Sequence, residues 1–422
     1  MENLSRFLHR SYTAFHATEN AVHFLEEQGF TRLYETEDWN LREGGKYFVV
    51  REGSSLIAFT VGSLDSFTFK VIASHTDSPA LKLKENAFVK TGAYGKLNVE
   101  TYGGGIWYSF FDRPLKIAGR IVYEENGALV SKTVESPYEG CIPAVAVHMN
   151  RGVNDGFSVN AQTDLQPLVA LGGDNESFLS SLTENAPVSY DLYLVNSNTP
   201  YSFGVNDEFF ASPRIDNLTS VYSSLEALCA HAESGGVCVA AALDNEEVGS
   251  QPLQGAGGDF LENTLKRIAF ALKFDESEYY KALAGSFLIS LDNAHASHPN
   301  HPEKSDPTNT TILGGGVVIK SHANKAYTTD ALSSAVVKTV FTRAGVKYQT
   351  FFNRSDMRSG GTLGAISLGH VGVLSADLGL AQLAMHSASE CIAKSDYAEL
   401  LNGLTAFYSS EILLSDGKAE IR

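Results

Sequence analysis

Phe67-Thr68-Phe69-Lys70-Val71-Ile72-Ala73 is an apolar run that breaks abruptly into Ser74-His75-Thr76-Asp77-Ser78-Pro79. A run this short, closed by polar and turn residues, reads as a buried strand. The pattern recurs twice: Val237 to Leu243 runs into Asp244-Asn245-Glu246-Glu247, and Phe287 to Leu291 runs into Asp292-Asn293-Ala294-His295. Between and after these runs, Leu218 to Ala232, Ala331 to Ala344 and Tyr397 to Leu414 carry amphipathic spacing long enough for helices. Leu4, Phe7, Leu8, Tyr12 and Phe15 open the chain as helix, and a second short run with Val22 and Leu25 stops at Gly29. Strand and helix alternating in this way predict an α/β fold built on a mostly parallel sheet.

Residues 86–205 break that rhythm, with Gly103-Gly104-Gly105, many Tyr, Thr and Ser, and apolar runs separated by turn residues. The block reads as an inserted β domain. The end of the chain, Asp416-Gly417-Lys418-Ala419-Glu420, reads as frayed.

Composition narrows the function. The 422 residues are 43% hydrophobic and 19% charged, enough for two or three domains or one large domain with an insertion. With 32 Lys and Arg against 49 Asp and Glu, the net charge of −17 argues against nucleic acid and anionic membrane surfaces as partners. Cys141, Cys229, Cys238 and Cys391 are too scattered for a disulfide framework or a zinc clip and read as small buried apolar residues. The N-terminal stretch lacks an apolar signal core, and no apolar run approaches the length of a membrane span, so a reducing cytoplasm is the expected compartment.

In an open α/β sheet ligands bind beyond the carboxyl ends of the strands. The residues ending the three runs there include His75, Asp77, Glu246, Glu247, Asp292 and His295, all metal-ligand types. Asp216, at the start of the Leu218 helix, and His386, in Leu383-Ala384-Met385-His386-Ser387, extend the set. Carboxylates with imidazoles suit a hydrolytic zinc or manganese site, and two adjacent metals activate a bridging water. Each residue also has a plainer reading. His75 could be a satisfied histidine, Asp216 a helix cap, Glu246-Glu247 a solvated face and His386 a core residue. Asp77 lies two residues after His75 and so on the same side of a strand, placed to accept the imidazole's other N–H. Of Glu246 and Glu247, one could ligate while its neighbour acts as base. His295, His298 and His301 form a second histidine group, but Pro299 and Pro302 mark a loop. His295 is read as supporting the ligands from behind, and the other two are unassigned.

Competing motifs are weak. There is no His-Glu-x-x-His and no phosphate loop, and Ala365-Ile366-Ser367-Leu368-Gly369 lacks the first glycine of a nucleophile elbow. The glycines at 103–105 and 314–316 read as turns or bulges.

Taken together, these motifs resemble the aspartyl aminopeptidase family of dinuclear metallo-exopeptidases. The likeness runs through Phe15-His16-Ala17, residues 74–84, 102–119 and 142–151, Ser212 to Asn217, residues 244–250, 292–304 and 356–364, and Ala384-Met385-His386-Ser387. It implies a discontinuous catalytic α/β domain (residues 1–85 and 206–422) interrupted by a β-rich oligomerisation and lid domain (residues 86–205). It also implies a tetrahedral homododecamer acting on peptides with a free N-terminus, acidic at that end. Carried over by position, one metal falls to His75, Asp216 and Asp292 and the other to Asp216, Glu247 and His386, with Asp216 bridging. Two divalent ions per subunit follow, zinc first, with manganese or cobalt as substitutes. Glu246 becomes the general base on the metal-bridging water and Asp77 the partner of His75. Lys325 and His148 fall on the substrate side, His148 reaching a neighbouring subunit's site. The chain departs from the family pattern at Glu85, Asn245 and Arg358-Ser359-Gly360-Gly361, none of them a proposed ligand. The rival readings are a dinuclear amidohydrolase or deacylase of small N-acyl substrates and, in another class, an assembly scaffold that has lost catalysis.

Overall fold

The computed structural model describes residues 1–422 apart from 233, 252, 358, 359, 368 and 369, and apart from the side chains of 365 and 367. Arg358-Ser359 and most of the elbow-like stretch at 365–369 therefore lie outside the described residues.

A nine-stranded sheet forms the centre, in the order Thr31–Leu33, Lys46–Arg51, Ser55–Val61, Val237–Leu243, Phe69–His75, Phe287–Leu291, Leu374–Gly379, Val317–Lys320, Tyr348–Phe351. The four strands from Val237–Leu243 to Leu374–Gly379 run parallel, while Ser55–Val61 on one flank and Val317–Lys320 on the other are antiparallel to their inner neighbours. The three apolar runs are thus adjacent central strands, buried along their whole length. Burial on both faces is why they read as continuous apolar runs rather than alternating ones. Ile72 and Ile289 face one core with the helices Ile215–Ala230, Ala331–Ala344 and Lys394–Ser409; Val71 and Leu288 face the other with Phe260–Ala271 and Glu276–Ala284. The predicted opening helix is two, Glu2–Arg10 and Ala14–Glu27, both on the first face.

A second, six-stranded sheet is antiparallel throughout, in the order Ala128–Gly140, Leu115–Glu125, Pro187–Asn196, Ala80–Thr91, Tyr94–Tyr102, Leu168–Leu171. It has its own core around Leu81, Leu97, Ile117, Ile121 and Leu192.

Two expectations fail at the C-terminal end. The helix expected over 397–414 spans Lys394–Ser409, and Ile412–Ser415 is a strand paired with Lys418–Ile421. The residues expected to fray form this hairpin. Gly417, at φ +67°, sits in its turn, Ile412 is buried, and Leu414, Ala419 and Ile421 pack on the core. Arg343 Nη1 donates to the Ile421 carbonyl at 2.5 Å. Ile412 and Leu414 continue the helical spacing but also alternate, and pairing with Ala419 and Ile421 decides between the two periods. Of the four thiols only Cys238 is fully buried, and all four are free. Among the described residues no helix is long and apolar enough to cross a membrane.

Candidate metal centre

Because Val237–Leu243, Phe69–His75 and Phe287–Leu291 are parallel neighbours, the acids and histidine at their carboxyl ends emerge at one edge of the sheet. His75 is the last residue of its strand; Asp77 lies beyond it in the loop rather than on the same strand face. His75 Nδ1 is 3.1 Å from the Asp77 carbonyl oxygen and 3.3 Å from Asp77 Oδ1, which leaves Nε2 facing Asp216 Oδ1 and Asp292 Oδ1, each at 3.6 Å. His386 Nε2 stands 3.4 Å from Asp216 Oδ2 and 3.3 Å from Glu247 Oε1. The two oxygens of Asp216 thus face different histidines. Ligand atoms of His75, Asp216 and Asp292 lie within 4.8 Å of one another, as do those of Asp216, Glu247 and His386 and those of His75, Glu246 and Glu247.

Asp216 does not cap its helix. It sits at φ −81°, ψ 110° in the first turn of Ile215–Ala230, and the residue at the cap position is Arg214. Glu390 anchors the backbone on either side of the centre, its Oε2 accepting Asp216 N–H at 2.9 Å and its Oε1 accepting His386 N–H at 2.7 Å. Ser78 Oγ donates to the Asp216 carbonyl at 2.6 Å. Asp77 holds the Glu246-Glu247 turn, its two oxygens accepting Glu246 N–H and Glu247 N–H at 3.1 Å each. Behind Asp292 lies Lys320, fully buried, with Nζ donating to the carbonyls of Asp292 at 2.8 Å and Asn293 at 3.2 Å and standing 3.5 Å from Asp292 Oδ2.

The electrostatics are lopsided. Burial, reinforced by neighbouring carboxylates, pushes Glu246 and Asp244 each up to about 7 and Glu390 up to about 8, and Glu247 well above its usual range. His75 and His386 move the other way. Burial alone would lower them, but the adjacent carboxylates raise His75 well above its ordinary value and His386 to about 10. Burial would also raise Asp216, yet His386 and His75 together hold it below the usual carboxylate range. A buried excess of anions around two imidazoles is the imbalance that divalent cations relieve. The donor set fits them. Asp216 Oδ1 and Glu247 Oε1 are buried with no hydrogen-bond partner, so acceptor lone pairs point into the space between the histidines.

His75, Asp77, Asp216, Glu246, Glu247, Asp292 and His386 therefore converge. His295 stands exposed, its ring edge-on to Phe351 at 6.3 Å, and its backbone carbonyl accepts Thr311 Oγ1 at 2.6 Å. His148 is exposed in the loop after Ile142. Lys325 is exposed as well, its Nζ 3.4 Å from the carbonyls of both Thr328 and Thr329. Sequence reasoning missed Lys320, Glu390 and Tyr102, whose hydroxyl donates to Asp77 Oδ2 at 2.8 Å. Lys320 had a signal, since it closes the apolar run Val317-Val318-Ile319 as His75 closes its own. Glu390 had none, and Tyr102 had only its place at the start of the 102–119 stretch of family likeness.

The family model described as Aminopeptidase I zinc metalloprotease (M18) matches residues 7–408. A probable M18 family aminopeptidase 2 of Clostridium novyi (strain NT) is 39% identical over 420 residues, covering 96% of this chain and 97% of that relative. Among solved structures, a chain in the cryo-EM structure of the Ape4 and Nbr1 complex superposes with a TM-score of 0.91 at 32% identity, over 96% of this chain and 85% of that one. The mApe1 dodecamer of S. cerevisiae gives a TM-score of 0.82 at 26% identity, over 96% of this chain and 95% of that one. A family match over nearly the whole length, on a fold whose strand ends gather two carboxylate and histidine donor sets, identifies the chain as a metallo-aminopeptidase of the M18 zinc metalloprotease family.

Proposed function

We propose that this aminopeptidase removes an acidic N-terminal residue from peptides at a centre of two divalent ions, zinc in the first instance, with Glu246 as general base. The observation that carries the reading is Asp216 set between two donor groups, His75 with Asp292 and Glu247 with His386, with Glu246 beside both. Two divalent cations, when bound, would supply Lewis acidity to the attacking water and the scissile carbonyl. The proton is the protein's task. Glu246 is fixed through its backbone N–H by Asp77, and its carboxyl, raised to about 7 by burial and nearby acids, exchanges a proton readily near neutral pH. It takes the proton from the attacking water and returns it to the leaving amine. Asp77 keeps the Nδ1–H of His75 turned toward itself, which leaves Nε2 free for a ligand.

For specificity, we assign Lys325 and His148 to the substrate side, His148 from a neighbouring subunit, and His295 to a supporting role behind the ligands. Residues 86–205 are proposed as the oligomerisation and lid domain of a homododecamer. The exposed Tyr108, Val145, Val147 and Met149 of that segment support burial against another subunit, as does the dodecameric assembly of mApe1. The four free thiols fit a cytoplasmic setting.

A panel of N-terminal aminoacyl substrates, run with metal analysis of the same preparation, tests the reading. Cleavage fastest at N-terminal Asp or Glu with about two metals per chain is expected. Fewer than about one metal per chain, or equal rates across the panel, overturns the dinuclear site or the acidic preference respectively.

A further inference from the structure

The six-stranded sheet reaches the metal centre where its strand Ala80–Thr91 leaves Asp77-Ser78-Pro79, and again, beside that point, through the stretch Tyr102-Gly103-Gly104-Gly105-Ile106 at the end of the strand Tyr94–Tyr102. Tyr102 uses its hydroxyl twice, donating to Asp77 Oδ2 at 2.8 Å and accepting from Asn245 Nδ2 at 2.9 Å. It thereby ties the loop after His75 to the turn that carries Glu246 and Glu247. Gly103 comes next, at φ +72°, with its α-carbon against Glu247. A Cβ built there would stand 3.0 Å from Glu247 Cβ and 3.2 Å from Oε2. The Gly104 carbonyl accepts the Nδ1–H of His386 at 3.0 Å, and Ile106 N–H donates to the His386 carbonyl at 2.8 Å.

Four residues of this five-residue stretch, Tyr102, Gly103, Gly104 and Ile106, thus touch Asp77, Glu247 or His386, and two of those three belong to the donor set that shares Asp216. The other set is braced differently. Asp292 is backed by Lys320, which belongs to the nine-stranded sheet, and His75 ends a strand of that sheet. We propose that Tyr102–Ile106 is a strap by which the six-stranded sheet sets the Asp216–Glu247–His386 donor group, with Tyr102 and Gly103 as positioning residues for the metal held there.

Tautomer and distance give the strap its effect. Accepting Nδ1–H at Gly104 places the lone pair of His386 on Nε2, the atom facing Asp216 and Glu247. The absence of a side chain at Gly103 lets Glu247 lie close enough to share that space. An alanine there has a strained left-handed backbone and a methyl group pressed against the Glu247 side chain, so the carboxylate is displaced. The loss falls on one donor group while His75 and Asp292 stay in place.

This inference rests on the two-metal reading, and metal affinity separates the two. Metal-free full-length protein is titrated with Zn2+ in competition with a chromophoric chelator. The parent should take up about two equivalents. Gly103→Ala should weaken one equivalent by about tenfold or more and leave the other within about threefold. Tyr102→Phe, which deletes only an oxygen, should weaken binding by about tenfold. Ile121→Val loosens the core of the same sheet away from the strap and should leave both affinities at the parental value. The strap is overturned if Gly103→Ala holds both equivalents as tightly as the parent, or if Ile121→Val loses as much. Should Gly103→Ala not fold, parental affinity in Tyr102→Phe overturns it. A parent that binds fewer than two equivalents removes the dinuclear reading and the strap with it.

Discussion

Glu390 accepts the backbone N–H of Asp216 at 2.9 Å, so the carboxylate that spans the two histidines is fixed from behind by a second buried acid. The other oxygen of Glu390 takes the N–H of His386, a residue held at φ +66°. Glu390→Gln keeps the shape but can offer only one acceptor to two donors, leaving one buried N–H unsatisfied. Metal affinity should fall by about tenfold or more, as for other groups that orient ligands, while the fold persists. Equilibrium dialysis against zinc that finds parental affinity would remove Glu390 from the centre.

Glu246 and Glu247 are adjacent in sequence but should fail differently. With Glu246 in the proposed role of base, Glu246→Gln keeps the volume but not the function, so metal content should hold while turnover drops by about a hundredfold. With Glu247 in the proposed role of ligand facing His386, Glu247→Gln should lose metal first and activity with it. Metal analysis beside turnover checks the assignment, and full metal in both variants with fast turnover in Glu246→Gln would reverse it.

Lys325 offers a charge test. It is exposed in the single chain, so a pair with a substrate carboxylate should contribute about 1 kcal/mol unless a neighbouring subunit buries it. Lys325→Ala should lower kcat/KM for N-terminal Asp and Glu about fivefold and leave neutral residues nearly unchanged. Losses that are equal on both, or absent, would leave Lys320, the buried ammonium beside Asp292, as the cation to examine for side-chain recognition.

His16 couples stability to acid. Burial first, then Arg214 and Lys116, lower its pKa from the ordinary 6.5 to about 4, and its Nδ1 is 2.9 Å from Thr13 Oγ1. The unfolded chain takes up a proton near pH 6.5 that the folded chain refuses until about pH 4. Stability from this group is therefore complete above pH 6.5 and lost as pH falls through that window, by about 3 kcal/mol over its full width. Between pH 7 and pH 5 the parent should lose about 2 kcal/mol more than His16→Gln in denaturant unfolding. An identical pH response in both proteins would show that His16 is not held neutral.

Local pattern was enough to place most of the elements and the residue types at the strand ends. Val237–Leu243 and Phe287–Leu291 coincide with their apolar runs and Ala331–Ala344 with its amphipathic stretch, because strands buried on both faces and helices buried on one leave unambiguous local patterns. The run beginning at Phe67 is displaced by two residues, to Phe69–His75, which makes His75 the end of the strand itself. Acids and imidazoles terminating such runs pointed to a metal site because charged groups seldom follow buried strands without a task. Local pattern could not tell Asp216 from a helix cap, nor extend the expected helix past 409 into anything but more helix. Those outcomes depend on residues far away in the chain. Asp216 is turned by Glu390, Ser78 and the two histidines, and Ile412 is drawn into a hairpin by Ile421. Gly103 and Gly104 read as a turn or bulge until tertiary structure lays them, with Tyr102, against Glu247, His386 and Asp77. Which oxygen faces which histidine is a through-space property of five segments brought together by the sheet, and only the folded chain fixes it.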